Sequence, residues 1–269
     1  MLLSIKNIKN IFKSKKTRNK KNLIIVEGAT EIKMALIGNF KLKKIYICKK
    51  FFFKKKIDYC IINKFIIYIN EKNYKKITYR KKTEGIIAIF FKKKINYEKK
   101  FINLIKKNKK ILLLIIDNLE KPGNIGAIIR TVETTNIVNS IIINGNIDIY
   151  NPNIIRASLG CIFILSILIL PIYKILKYIL KYNINLLGTS IFKYNNCLSL
   201  YKINFLNFKK IAIIFGNEHV GISKIWDKFI YKNINIPMYG VINSLNVSNS
   251  VSIILFEILR QNSKYLKII

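Results

Sequence analysis

Acidic residues and histidine are scarce in this sequence: 13 Asp and Glu stand against 49 Lys and Arg, and His219 is the single histidine. A bound metal needs several such ligands brought together, and no grouping of them is visible, so no metal site is expected. A lone histidine also leaves no pattern from which a Ser/His/Asp triad could be assembled, and His219 reads most simply as a turn residue. The four cysteines, Cys48, Cys60, Cys161 and Cys197, are widely spaced with no CxxC pair. That argues against zinc and suits a reducing compartment. No GxGxxG follows the first strand of the C-terminal half and no GxxxxGK(S/T) occurs anywhere, so dinucleotide and P-loop readings lose their specific support. Long apolar runs are missing too. The apolar uncharged stretch 157–173 contains Gly160, Ser166 and Pro171 and sits at the short limit for a membrane span, so a core strand or helix is expected there and no membrane partner. The basic N-terminus has no continuous apolar segment or small-residue cleavage site and is not a secretory signal. The expected location is cytoplasmic, although an organellar presequence is compatible with the same basic start.

What is present is apolar and basic. Hydrophobic residues make up 51% of 269, enough for one large or two modest domains with a real core. The formal charge of +36 favours polyanions, nucleic acid first among them. Lys, Ile, Asn, Phe and Tyr dominate everywhere, so the charge is supporting evidence only.

In chain order, residues 1–22 read as a basic, partly helical lead-in. A buried strand at 23–26 ends in Glu27-Gly28, and Thr30 is expected to cap a short helix carrying Ile32, Ala35 and Leu36, closed by Gly38. Strands are expected at 44–48, within 61–69 and at 86–91 after Thr83-Glu84-Gly85, which describes a small α/β domain over residues 1–92. The lysine-rich stretch 93–110 reads as a charged linker, and 111–269 as a second α/β domain. That domain opens on 111–116, an unbroken apolar run typical of a strand buried on both faces of a parallel sheet.

Three polar turns in the second domain follow apolar strands. The first, 117–126, feeds a helix with an apolar stripe of Ile125, Ile128, Ile129 and Val132, so Arg130 is turned away from the core. The second, 216–221, follows the strand 210–215. The third, 236–250, runs from Ile236-Pro237-Met238 through Ser244-Leu245-Asn246 into a helix with Val251, Ile254, Leu255 and Ile258 on one face. In such sheets ligands gather where strand carboxyl ends meet polar turns. Glycines 188, 216, 221 and 240 are expected to let the backbone approach a ligand. The polar set Asn124, Arg130, Glu218, Ser244 and Asn246 can orient a ligand by hydrogen bonds, hold a guanidinium or amide, and grip a phosphate or a developing oxyanion. That combination suits group transfer onto an RNA hydroxyl better than hydrolysis.

These turns resemble the three motifs of the SpoU (TrmH-like) RNA ribose 2′-O-methyltransferases of the SPOUT superfamily. Asn124-x-Gly126-x-x-x-Arg130 is similar to motif 1, Gly216-Asn217-Glu218-x-x-Gly221 to motif 2, and Ile236-Pro237-Met238 with Ser244-Leu245-Asn246-Val247-Ser248 to motif 3. Upstream, Ser4-Ile5-Lys6-Asn7, Ile25-Val26-Glu27-Gly28 and Thr83-Glu84-Gly85-Ile86-Ile87-Ala88 resemble the ribosomal-protein-like substrate-binding domain of rRNA-modifying members. Asn249 and Glu84 depart from the usual pattern, a small apolar residue and Gln being commoner there. The resemblance implies a knotted, parallel-sheet α/β catalytic domain behind a small N-terminal α/β domain, homodimerisation through the C-terminal helix region, and S-adenosylmethionine bound in the knot. It places Thr189, Gly216, Ile236 and Leu245 on the cofactor, and Arg130, Asn124, Glu218, Ser244 and Asn246 in the catalytic set. It implies 2′-O-methylation of RNA, with large-subunit rRNA expected; the alternatives are a tRNA substrate or an RNA-binding module with a decayed methyltransferase site.

Overall fold

The computed structural model describes residues 4–52, 63–80, 82–93, 97–190, 197–242 and 244–262. They form two compact units, one made of the described residues up to 93 together with Asp148–Ile164, the other of the rest.

In the first unit, helix α1 (Ile5–Lys13) buries Ile8, Ile11 and Phe12 on one face and leaves Lys6, Lys9 and Lys13 exposed, the helical spacing that lets a lysine-rich segment fold. Ser4 caps α1 and Ser14 caps α2 (Lys15–Lys21), each hydroxyl accepting a backbone N–H three residues on. Then come β1 (Leu23–Glu27), α3 (Ala29–Ile37), β2 (Leu42–Ile47), β3 (Ile66–Tyr68), α4 (Glu71–Ile77) and β4 (Ile86–Phe91). The strands lie in the order β1-β4-β2-β3, antiparallel except for the β2–β3 pair. Helix α3 departs from expectation at its start. Thr30 lies inside the helix and Gly28 occupies the cap position with no side-chain cap. Gly28 has φ 110°, a conformation that glycine adopts without strain, and the Ala29 N–H is instead taken by Glu84 Oε2 at 3.2 Å. The acceptor comes from far along the chain, so local sequence could not reveal it.

The second unit begins with α5 (Tyr97–Lys107), β5 (Ile111–Asp117), α6 (Pro122–Thr135) and β6 (Ser140–Asn144). After α7 (Pro152–Ala157), which belongs to the first unit, it resumes with β7 (Ile167–Ile169), α8 (Ile172–Lys181), β8 (Asn185–Thr189), β9 (Cys197–Ser199), β10 (Lys210–Phe215), β11 (Ile230–Asn235) and α9 (Val247–Gln261). The sheet order is β7-β6-β5-β10-β8-β11-β9, parallel at every pairing. Strand β5 is buried along its whole length, as its unbroken apolar run requires when both faces are covered.

Two further features differ from the sequence-based expectation. The stretch expected as a charged linker contains α5, whose Phe101 and Ile105 are buried in the same core as Tyr178 and Trp226. Its lysines are spaced around those apolar positions, and composition alone hides that spacing. Asp148–Ile164 lies far along the chain from the other residues of the first unit but joins it through the ion pair of the buried Arg18 with Asp148 and the Phe40–Phe163 ring contact, centroids 4.9 Å apart.

Helix α5 is fastened to α8 by polar and ring contacts together. The Tyr178 hydroxyl donates to the Glu98 carboxylate, Lys174 pairs with the same carboxylate at 3.2 Å, and the Phe101 and Tyr178 rings meet edge to face at 5.5 Å. Burial, and then the hydrogen bond to Glu98, push the Tyr178 hydroxyl up to about 12. An unfolded tyrosine titrates near 10, so above that pH the unfolded state sheds its proton first and stability falls as pH rises toward the folded value. Tyr178→Phe is expected to lower stability by about 1 kcal/mol at neutral pH. In urea denaturation the difference between wild type and variant should shrink as pH rises from 10 to about 12.

Candidate active site

The site is built on the carboxylate of Asp117 at the end of β5, which is fully buried. Its Oδ1 accepts from Asn144 Nδ2 at 2.7 Å and Asn118 Nδ2 at 3.3 Å, and its Oδ2 accepts from the N–H of Ser223 at 2.9 Å and the Ser223 hydroxyl at 2.7 Å. One side chain thereby ties together the ends of β5 and β6 and the chain just past the second polar turn. Four donors are what a buried carboxylate needs to offset its lost hydration.

The second turn is also self-fastened. Asn217 and Gly221 exchange both backbone hydrogen bonds, at 2.9 and 3.0 Å. Asn217 Oδ1 accepts from the N–H groups of His219 and Val220, and its Nδ2 donates to the Asn118 carbonyl at 2.9 Å. Gly221 has φ 74°, and a Cβ on Gly216 would lie 2.1 Å from the Gly221 carbonyl carbon, so the tightness of the turn demands glycine at both ends.

Above this turn opens a cleft of about 330 Å³. Its walls are Thr189 and Ser190 at the end of β8, Phe215 to Glu218 after β10, Ile234 and Ile236 at β11, and Ser244 to Val247 entering α9. Thr189 Oγ1 donates to the Ile214 carbonyl at 2.9 Å. Of the residues expected at the site, Thr189, Gly216, Glu218, Ile236, Ser244, Leu245 and Asn246 line this cleft. Asn124 joins it through hydrogen bonds: Asn124 Nδ2 donates to Glu218 Oε1 at 2.6 Å, and its Oδ1 accepts from Asn246 Nδ2 at 3.1 Å. Asn246 caps α9, its Oδ1 accepting from the N–H of Ser248 at 2.9 Å. One side chain from each of the three polar turns thus forms a continuous donor chain ending on a carboxylate.

Arg130 stands apart. It is exposed on α6 and is not among the cleft-lining residues. Among the described residues no hydrogen bond or ion pair involves its guanidinium, while its carbonyl accepts from the Thr134 hydroxyl. Two of the glycines expected to approach a ligand differ in their surroundings. A Cβ on Gly188 would meet Asn233 Oδ1 at 2.3 Å, so Gly188 serves strand packing, and a Cβ on Gly240 would meet nothing within 4 Å. Conversely, Asp117 is not among the residues that the sequence marks as functional, and Asn217 enters there only as part of the second motif. The available signal for Asp117 was an acidic residue closing an apolar strand in a chain poor in acids. Among the described residues no cluster of His, Cys, Asp and Glu suited to a metal is present, and no helix is long and apolar enough to cross a membrane.

Asp117→Ala strips the acceptor from Ser223 and Asn144. It is expected to cost about 2–4 kcal/mol in urea denaturation and to speed amide exchange at Val220 and Gly221.

Comparison with known proteins agrees with this architecture. The profile of the SpoU rRNA Methylase family matches residues 111–256, and that of the MRM3-like substrate binding domain matches residues 3–88. A protein of Borreliella burgdorferi named as an uncharacterized tRNA/rRNA methyltransferase is 32% identical over 204 residues, 73% of this chain and 87% of that one. A 23S rRNA (uridine(2479)-2′-O)-methyltransferase of Streptomyces viridochromogenes is 29% identical over 154 residues, 55% of this chain and 52% of that one. Among solved structures, an RNA 2′-O ribose methyltransferase superposes with a TM-score of 0.81 at 26% identity, covering 96% of this chain and 95% of that one. A SpoU methyltransferase of Streptomyces viridochromogenes, solved in complex with AdoMet, shares the fold at a TM-score of 0.79 and 19% identity, covering 97% and 98%. The three polar turns, the all-parallel sheet and the family profile fall on the same part of the chain, and the protein belongs to the SpoU rRNA methylase family.

Proposed function

We propose that this protein transfers the methyl group of S-adenosylmethionine to a ribose 2′-hydroxyl of RNA, with large-subunit rRNA as substrate. The observation that carries the proposal is the Asn246–Asn124–Glu218 hydrogen-bond chain beside a cleft at the carboxyl ends of β8, β10 and β11. The cleft's residues fit the cofactor. A volume of about 330 Å³ lies within the usual range for a small-molecule site, and Leu245, Ile236 and Ile254 offer apolar surface to a flat base. Gly216 and Thr189 stand where backbone and hydroxyl groups can reach a ribose. Thr189, Gly216, Ile236 and Leu245 hold the adenosine moiety, and the bound cofactor supplies an electrophilic methyl on a sulfonium.

The chain's own residues position the acceptor. Glu218 anchors Asn124, Asn124 anchors Asn246, and with Ser244 they present fixed polar groups to a ribose entering the cleft. A guanidinium is a poor base, so Arg130 is not assigned the proton of the ribose hydroxyl. Its role is to orient the RNA and stabilise charge developing on the ribose oxygen. The substrate-binding domain match over residues 3–88 and the 23S rRNA activity in the name of one relative favour rRNA over tRNA. The knot implied by the family, homodimerisation through the α9 region, where Phe256 is half exposed, and a cytoplasmic location belong to the same proposal.

Calorimetry in the presence of chelator is expected to find one S-adenosylmethionine site per chain. Absence of heat, or heat that appears only with a divalent ion, would overturn the cofactor assignment. Arg130→Ala is expected to leave folding and donor affinity nearly unchanged, since the residue is exposed and outside the cleft. It should cut methyl transfer to rRNA by about a hundredfold or more. Arg130→Lys keeps the charge without the planar fork and is expected to recover little of it. Near-normal turnover in Arg130→Ala would make it an ordinary surface arginine.

A further inference from the structure

The segment after α4 in the first unit is held by an unusual anchor. Glu27, at the end of β1, is buried, and its carboxylate accepts from the N–H groups of Tyr79 at 2.8 Å and Arg80 at 3.3 Å and from the hydroxyls of Thr78 at 2.5 Å and Thr83 at 2.9 Å. The Arg80 side chain is fixed in turn by its ion pair with the buried Glu31. The backbone on both sides of Tyr79 is therefore pinned, yet the Tyr79 side chain is not drawn into the core and remains 46% exposed.

One face of that ring is occupied. Tyr79 lies nearly parallel to Phe12, with centroids 6.0 Å apart and planes at 16°, and Phe12 beneath it is only 5% exposed. Tyr79 thus stands as the outer plate of a two-ring stack. The surroundings are cationic at the surface. Exposed Arg156 of α7 borders a shallow recess together with Tyr79, Phe12 and Arg80. Lys13 and Lys16 are exposed at the junction of α1 and α2, next to Phe12 in the chain. The nearby acids are committed elsewhere. Glu27 and Glu31 are buried as described, Asp148 pairs with Arg18, and Glu84 accepts the Ala29 N–H and lies 4.0 Å from Arg80.

A rigidly mounted aromatic ring that shares its recess with the exposed Arg156 guanidinium matches a ligand that is planar and anionic at once. An acidic peptide supplies charge without the plane, and a duplex keeps its bases stacked internally. An unpaired nucleotide supplies both, because every base has a π face and a linked phosphate. We propose that Tyr79, backed by Phe12, is a stacking platform for an unpaired base of the RNA substrate, with Arg156 taking the adjoining phosphate. The proposal rests on the reading of this protein as an RNA methyltransferase and adds a recognition element outside the methyl-transfer cleft.

The test uses the full chain and a short single-stranded RNA carrying 2-aminopurine, with its base-paired counterpart as comparison. Wild type is expected to quench the single-stranded probe on binding and to prefer it to the duplex. Tyr79→Phe should bind within about twofold of wild type, and Tyr79→Ala about tenfold more weakly. Tyr79→Leu, which keeps apolar contact with Phe12 but has no π face, should be as weak as Ala, separating stacking from simple loss of packing. The salt dependence of binding should be unchanged in the Tyr79 variants and should flatten by about one unit of slope in Arg156→Gln. Wild-type affinity in Tyr79→Leu, weak binding in Tyr79→Phe, or preference for the duplex would each overturn the platform. If wild type methylates RNA while Tyr79→Leu binds normally, the platform alone falls. If wild type binds no RNA, the methyltransferase reading falls with it.

Discussion

The buried carboxylate of Asp117 is the constraint from which the geometry of the cleft follows. A charge with no exposed surface costs several kcal/mol unless its oxygens are fully bonded, and its donors come from Asn118, Asn144 and Ser223. Those residues lie at the ends of β5 and β6 and just past β10. Satisfying the one group therefore fixes how the first two polar turns leave the sheet. Asn217 continues the linkage by bonding the Asn118 carbonyl while closing its own turn, and Asn246 brings the start of α9 to Asn124. Residues more than 100 positions apart are held at hydrogen-bond distance by this succession.

The first unit uses the same device. In a chain with 49 basic residues and 13 acidic ones, self-repulsion opposes compaction, and several acids are placed where they organise structure. Glu27 gathers the backbone and hydroxyls of residues 78–83. Glu31 takes Arg80, and Asp148 takes Arg18, whose guanidinium also donates to the carbonyls of Ile11 and Phe12. In the second unit the Glu257 carboxyl is lowered from its ordinary value, first by its bond to Arg260 and also by Gln261. With these acids bonded internally, Lys6, Lys9 and Lys13 of α1 and Lys16, Lys20 and Lys21 of α2 face solvent.

In the proposed function the cleft and the platform divide the work that RNA methylation demands. The cleft combines glycine-bounded backbone, apolar side chains and a fixed amide–carboxylate chain, which suits a small cofactor and a single ribose. The first unit supplies cations and an open aromatic face, which suit a longer stretch of polyanion. The family assignment and the geometry of the turns meet in the second unit, where the hydrogen bonds explain why each motif needs its residue types: glycine for closure, asparagine to donate and accept at once, glutamate to end the chain.

Local patterns carried much of this fold in readable form. The apolar runs of β5 and β10, the stripes of α6 and α9, the Asn246 cap and the glycines bounding the second turn depend on residues within a few positions of one another. Their signals survive in a single sequence because periodicity and capping are local physics. The three motifs were legible for the same reason, and they carried the family. Tertiary structure alone decided what depends on distant partners. A lysine-rich stretch became helix α5 because Phe101 and Ile105 had a core to enter. Segment 148–164 joined the first unit because Arg18 needed a carboxylate. Gly28 replaced Thr30 at the start of α3 because Glu84 reached Ala29. Asp117 and Asn217 emerged as organisers because hydrogen-bond partners chosen across long chain separations leave no periodic trace in the residues between them.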